Sequence, residues 1–298
     1  MADLTPCPRV ARAFLGGCWA ILPEKFEAIA EMIELRALNG NAIEFDAAVA
    51  RPPVRDSGKI AVVPVFGTIT HRANLLSNAS GGTSTDVLGR EIDQMGANSA
   101  ISTIVLDIDS PGGSAVGVYE LAAKIAAVAK KKPVIAVANG TAASAAYWLA
   151  SQASEIVVTP SGMVGSIGVI GMHTEKSKLA DTLGIRTTIV SAGKYKAEGN
   201  PFEPLDAEAL SAMQSMVDSY YADFVAAVAK GRSTTVDIVR SGFGEGRLLR
   251  AKDAIKAGMA DRIASLDEVI AGLLKQSRIS DRLARAEEER AAFAAMPD

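Results

Sequence analysis

From residue 59 onward, short apolar runs alternate with segments whose apolar residues recur every three or four positions. The runs KIAVVPVFG (59–67), ISTIVLDID (101–109), PVIAVAN (133–139), EIVVTP (155–160), SIGVIG (166–171) and RTTIVSAG (186–193) predict strands rich in Val and Ile. Between them TDVLGREIDQMGAN (85–98), SAVGVYELAAKIAAVAKK (114–131), AASAAYWLASQA (142–153) and TEKSKLADTLG (174–184) predict helices. In the second of these Val118, Leu121, Ile125 and Val128 share one face. Strands that are apolar on both faces, alternating with helices, predict an α/β fold with a mostly parallel sheet flanked by helices.

The flanks read differently. Residues 1–50 have a helical pattern, clearest in PEKFEAIAEMIELRALNG, where Pro23 suits a helix start and Asn39-Gly40 a stop. The charged, proline-bearing stretch at 51–58 reads as a linker, followed by a main domain over 59–277. Within that domain Leu210, Met213, Val217, Tyr220, Phe224 and Val228 predict one long helix, closed near Lys230-Gly231-Arg232. Shorter helices are expected at 234–240, 251–258 and 266–276. The tail, 278–298, is charged and helix-prone, with Asp281–Arg285 and Arg285–Glu289 spaced for ion pairs. It suits a solvated helix or a partner contact.

Composition narrows the function classes. Of 298 residues 49% are hydrophobic and 22% charged, enough for a large buried core. With 31 basic and 34 acidic residues the net charge is −3, so no strong field draws nucleic acid or an anionic membrane. Cys7 and Cys18 fit neither a disulfide framework nor a metal site and read as reduced thiols. Arg9 and Arg12 precede the apolar FLGGCWAIL (14–22), faintly like a signal peptide. Asp3 before it, Pro23-Glu24-Lys25 after it and the lack of a small-residue cleavage site argue against export. The most apolar region, Val134 to Ala150, is interrupted by Asn139, Gly140, Thr141 and Ser144, so no membrane span is expected.

Candidate chemistry centres on NGTAASAAYWLA (139–150), where Ser144 sits among small residues between a strand and a helix. A serine hydroxyl is a weak nucleophile until a base removes its proton. His71 and His173 are the only histidines, neither with a supporting motif, and the G-x-S-x-G elbow is absent. A lysine is the other option, provided burial or positive potential lowers its pKa. Lys194 and Lys196, in the Gly/Pro-punctuated VSAGKYKAEGNPFEP (190–204), are indistinguishable by pattern. The turn DSPGGS (109–114) supplies glycine amides that could stabilise an oxyanion. These features alone fit a serine hydrolase or an anion or acyl-thioester binding site equally. No metal-ligand spacing or phosphate loop is present, and no cofactor is implied.

Taken together and in order, DSPGG (109–113), GTAASAAYWLA (140–150), VGSIGVIG (164–171) and GKYKAEGNPFEPL (193–205) resemble the S49 peptidases, which include the signal peptide peptidase A group and phage head maturation proteases. The resemblance covers roughly residues 57–272, including GRLLRAKDAIKAGMADRIASLDEVI (246–270). It implies a ClpP/crotonase-like fold and a Ser-Lys dyad. Ser144 matches the nucleophile, Lys196 the general base and Ser166 a serine that orients the lysine. The amides of Gly113 and Ala145 would form the oxyanion hole, with Gly112 as the alternative to Gly113. Some members build the site between subunits, which implies a ring-like homo-oligomer. The leader-like stretch at 11–33 resembles phage members, which favours cleavage of scaffold and capsid proteins in an assembling prohead or the host cytoplasm. A cytoplasmic peptidase for signal peptides or unfolded proteins, a crotonase-like acyl-CoA binding protein and a shell protein with a vestigial site are the competing expectations.

Overall fold

The computed structural model describes residues 17–39, 52–72 and 82–294. Cys7, the helical readings of 1–16 and 40–50, the first linker residue and the last four residues of the tail lie outside these.

The alternating pattern folds as a wide sheet with helices on both faces. Its elements are β2 (Arg55–Ser57), β3 (Ile60–Phe66), β6 (Thr103–Ser110), β8 (Val134–Ala143), β9 (Glu155–Val158), β10 (Met163–Gly165), β11 (Leu248–Arg250) and β12 (Arg262–Ile263). The order is β11-β10-β8-β6-β3-β2, with β9 also beside β8 and β12 beyond β9. The inner pairs are parallel, and the edge strands β2 and β11 run antiparallel. β8 is shared. Ile135–Ala138 pair with β9, then Thr141–Ala143 pair with β10. The turn in direction falls at Gly140, whose φ is +126°.

A second, four-stranded sheet lies across one end of the first. Its order is β1 (Trp19–Ile21), β7 (Gly112–Ser114), β4 (Ile69–Thr70) and β5 (Thr83–Ser84). The helices are α1 (Pro23–Asn39), α2 (Thr85–Ala97), α3 (Val118–Ala129), α4 (Ala145–Ala150), α5 (Ser177–Thr182), α6 (Ala207–Gly231), α7 (Val236–Gly242), α8 (Ala251–Lys256) and α9 (Leu266–Ala294).

Alternation within each strand divides the core. Ile104, Leu106 and Ile108 of β6 face Leu121 and Ile125 of α3 and Leu88 and Ile92 of α2. Val105, with Ile60, Val62, Val137 and Val157, faces Val269, Ile270 and Leu273 of α9. The α/β class with a mostly parallel sheet flanked by helices is therefore as the sequence pattern predicts.

Four local expectations are corrected. The stretch 186–193 is not a strand; it pairs with no strand among the described residues, and Val190 is 93% exposed. Within 166–171 only Ile170 pairs, in an isolated bridge to Trp19, and the strand lies just before, at 163–165. The N-terminal region is not all helical, because Trp19–Ile21 form a strand. The helix expected at 266–276 and the charged tail are one continuous helix, α9.

Candidate active site

Ser144 stands where β8 ends and α4 begins. Its φ of 53° and ψ of −118° lie outside the regions open to side-chain-bearing residues. Such a conformation persists only where the surroundings enforce it. Here Ala143 is locked in register with Gly165 of β10, and the Ser144 N–H donates to the Gly165 carbonyl at 2.7 Å. On the other side all six residues of α4 are buried. Trp148 stacks on Phe224 of α6 with ring centroids 4.7 Å apart, and the Tyr147 hydroxyl donates to the Met259 carbonyl at 2.9 Å. The serine is thus held at a sharp corner by packed elements behind it. Its own hydroxyl points the other way, donating to the Gly168 carbonyl at 3.4 Å.

Ser166 occupies the equivalent corner one strand over, directly after β10, with φ 54°. It is buried, and its N–H donates to the Arg247 carbonyl at 2.9 Å. Ser144 and Ser166 follow the paired residues Ala143 and Gly165, so the register sets them side by side.

The DSPGG turn runs along the other flank. Gly112 has φ +95°, and a Cβ there would lie 2.2 Å from the Ala20 carbonyl oxygen and 3.0 Å from Cβ of Ser144. Glycine is required for both reasons. The Gly112 N–H is taken by Ser110 Oγ at 3.2 Å. Gly113, next along the turn, pairs with Ala20 of the N-terminal strand β1. A Cβ at Gly113 would fall 1.9 Å from the Ile69 carbonyl oxygen, so β4 and β7 touch through bare backbone. Ala145 opens α4, where the first amides of a helix have no carbonyl partner within it.

Neither histidine serves this corner. The His71 ring meets Thr85 Oγ1 at 3.3 Å, and the His173 ring meets the Asn200 carbonyl at 3.1 Å. The two lysines, equivalent by pattern, differ in surroundings. The Lys194 ammonium donates to the Tyr195 hydroxyl at 2.7 Å and to Glu208 Oε1 at 2.9 Å. These bonds hold its pKa above the ordinary lysine value, which disfavours a neutral base. Lys196 is exposed on the same turn, and no hydrogen bond or ion pair joins it to Ser144 within one chain. Ser144, Ser166, Gly112, Gly113 and Ala145 are therefore brought together, and Lys196 is not. Among the described residues no His/Cys/Asp/Glu cluster could hold a metal, and no helix is long and apolar enough to cross a membrane.

One group next to Ser144 carried no periodic signal in the sequence. Trp19–Ile21 pair antiparallel with Gly112–Ser114, and Trp19 exchanges backbone hydrogen bonds with Ile170 at 2.9 and 2.8 Å. The N-terminal strand thus lies between the glycine turn and the segment after Ser166.

Residues 126–280 match the profile of Peptidase family S49, and the chain belongs to that family. The chain is 36% identical over 211 residues to the head-tail preconnector protein of Enterobacteria phage P21, covering 71% of this chain and 42% of that protein. It is 33% identical over 211 residues to the capsid assembly protease C of Escherichia phage lambda, covering 71% and 48% respectively. A putative protease of Methanocaldococcus jannaschii is 32% identical over 190 residues, covering 64% of this chain and 61% of that one. The chain spans about half the length of the two phage relatives. Among solved structures, a mutant of a membrane-bound stomatin-specific protease in complex with a substrate peptide aligns with TM-score 0.45 and 18% identity, over 72% of this chain and 79% of that one.

Proposed function

We propose that this chain is a serine endopeptidase in which Ser144 attacks the peptide carbonyl and Lys196 takes its proton. The observation that carries the proposal is the strained, buried Ser144 beside Gly112-Gly113 and Ser166, in a member of family S49. As the Ser144 oxygen bonds to the carbonyl carbon, its proton passes to neutral Lys196. The oxyanion takes hydrogen bonds from the Gly113 and Ala145 amides. Lys196 then protonates the leaving amine, and water repeats the cycle on the acyl-enzyme with release of the acid.

Lys196 belongs to the site of a neighbouring copy. A lysine base must be desolvated to be neutral at working pH, and Lys196 is exposed in one chain. The segment that carries it also exposes Leu179, Leu183, Ile185, Ile189, Val190 and Phe202, more apolar surface in one place than a lone chain usually leaves in water. Docking this arm on the next subunit would bury it, desolvate Lys196 and, repeated head to tail, close a ring.

The substrates we assign are scaffold and capsid proteins of a phage head, cut in the host cytoplasm or an assembling prohead. Support comes from the names of the phage relatives P21 preconnector and lambda protease C. We place the peptidase domain at 59–277, with the tail as a docking element.

The test measures cleavage of an unfolded protein from about pH 6 to 10, across the range in which a perturbed lysine titrates. Ser144→Ala and Lys196→Ala should each be inactive and Lys194→Ala active. Mixing the two inactive variants should restore cleavage if the dyad forms between subunits. Wild-type behaviour of Ser144→Ala would overturn the peptidase assignment and favour acyl-CoA binding or a shell role.

A further inference from the structure

An extended peptide cut at Ser144 must place its carbonyl against the glycine turn. The simplest way to do so is to add a strand to the edge of β7, with main-chain hydrogen bonds for affinity. In this structure that edge is taken. β1 pairs with β7 in the register Trp19↔Ser114, Ala20↔Gly113, Ile21↔Gly112. The bonds at its two ends are Leu22 N–H to the Pro111 carbonyl at 2.9 Å and Ala115 N–H to the Cys18 carbonyl at 3.0 Å. Alternation along an antiparallel ladder then makes Ala20 and Gly113 a hydrogen-bonded pair. The Gly113 amide, proposed above as an oxyanion donor, is turned to the Ala20 carbonyl. That same carbonyl oxygen and Cβ of Ser144 crowd the same empty Cβ position of Gly112, at 2.2 and 3.0 Å. On the opposite edge β1 bonds Ile170, two residues beyond the carbonyl of Gly168 that holds the Ser144 hydroxyl.

We propose that β1 occupies the lane of an extended substrate strand, as a built-in competitor that must leave before a peptide is cut. The inference rests on the peptidase reading above. Its side chains describe what the lane accepts. Ala20 is fully buried and its methyl group belongs to the main core cluster, so a small residue fills this position. Trp19 and Ile21 turn to the opposite side, against Phe26 and Met172. The lane therefore fits a strand with a small residue opposite Gly113 and large apolar residues on either side. Beyond Cys18 it opens into a cavity of about 400 Å³ lined by Gly171, Met172, Met213 and Met216, with room for a longer peptide. Being tethered, β1 competes at an effective concentration on the order of millimolar, so free peptides face a strong rival.

The test locks the strand in place in the full-length chain. Trp19 and Ser114 are a directly opposed, non-hydrogen-bonded pair, a spacing that suits a disulfide. Trp19→Cys with Ser114→Cys, in a Cys7→Ser and Cys18→Ala background, would be assayed oxidised and reduced. Cleavage of an unfolded protein should fall more than about tenfold on oxidation and return on reduction, because a covalent lock removes the open state entirely. Trp19→Ala, which weakens the plug, should cleave faster than wild type. A permanent wall of the cleft predicts the reverse: no change on locking, and slower cleavage in Trp19→Ala. Either result would overturn the proposal. A second readout separates it from the peptidase reading. In the Ser144→Ala background, a fluorescent peptide with the sequence of residues 17–24 but Ala in place of Cys18, so that no thiol can exchange with the lock, should bind the reduced protein more tightly than the oxidised one. If the lock controls binding while wild type cleaves nothing, the peptidase reading fails and occupancy of the lane stands. If the lock controls neither, the plug itself is wrong.

Discussion

The backbone at Ser144 offers a test of strain in which activity plays no part. Replacing Ser144 by Ala removes the hydroxyl but keeps a Cβ at φ 53°, ψ −118°. Replacing it by Gly removes the Cβ as well. A side-chain-bearing residue held in such a region costs about 1–3 kcal/mol. Glycine restores backbone freedom to the unfolded chain, which offsets roughly 0.5–1 kcal/mol of that gain. The Ser144 Cβ is also close to the Gly112 backbone, so its removal loosens rather than empties the contact. Ser144→Gly should therefore be more stable than Ser144→Ala by about 0.5–2 kcal/mol. For a chain of this size that is a rise in Tm of roughly 1–6 °C. Both variants lack the Ser144 hydroxyl, so under the proposed mechanism self-digestion cannot blur the comparison. Calorimetry at matched protein concentration, with urea titration as a second measure, would read the difference. A Gly variant equal to or less stable than the Ala variant would refute the claim that the fold holds the serine under strain.

Other expectations follow from the same contacts. Gly113→Ala should fail to fold or lose several kcal/mol, since its Cβ would meet the Ile69 carbonyl at 1.9 Å; soluble yield and circular dichroism would report this. Trp148→Phe should destabilise less than its lost area suggests, because Nε1 of Trp148 is buried without a hydrogen-bond partner among the described residues and its removal relieves about 1–3 kcal/mol; urea unfolding beside Phe224→Leu checks it. Burial pushes the Asp261 carboxyl up, but the paired bonds from Arg232 at 2.6 and 3.0 Å and the Ile156 N–H outweigh it and hold the carboxyl below its usual range. With its folded pKa below the unfolded value, its contribution is complete above about pH 4 and is lost as pH falls through the folded pKa. Asp261→Asn should accordingly lose stability at neutral pH and show a shallower decline on acidification, read by melts from neutral to strongly acidic buffer. If the chain acts in a phage head as proposed, deleting residues 279–298 should spare folding and peptide cleavage but impair incorporation into particles, since Ile279 and Leu283 are exposed while Val269 and Ile270 hold α9 to the sheet.

The sequence by itself determined the scaffold. Apolar runs such as ISTIVLDID and helical faces such as Val118, Leu121, Ile125 and Val128 have one low-energy arrangement, a buried sheet under helices, because their periodicity already states which side faces the core. It also drew attention to Ser144 and the glycine turn, which sit between a strand and a helix, whereas Ser166 was singled out only by the family resemblance. Residue pattern alone could not separate Lys194 from Lys196, which only the family resemblance did, because what sets Lys194 apart is a neighbour, Glu208, fourteen positions away and brought close only by folding. It read RTTIVSAG as a strand because local preference knows nothing of whether a partner strand exists to receive it. Nor could it place WAI. Three apolar residues carry no period, and their position beside Gly113 and Ile170 follows from hydrogen bonds to segments far along the chain. Patterns fix what each segment needs; only the tertiary structure decides which other segment satisfies it, because that choice is made by register and closeness in space.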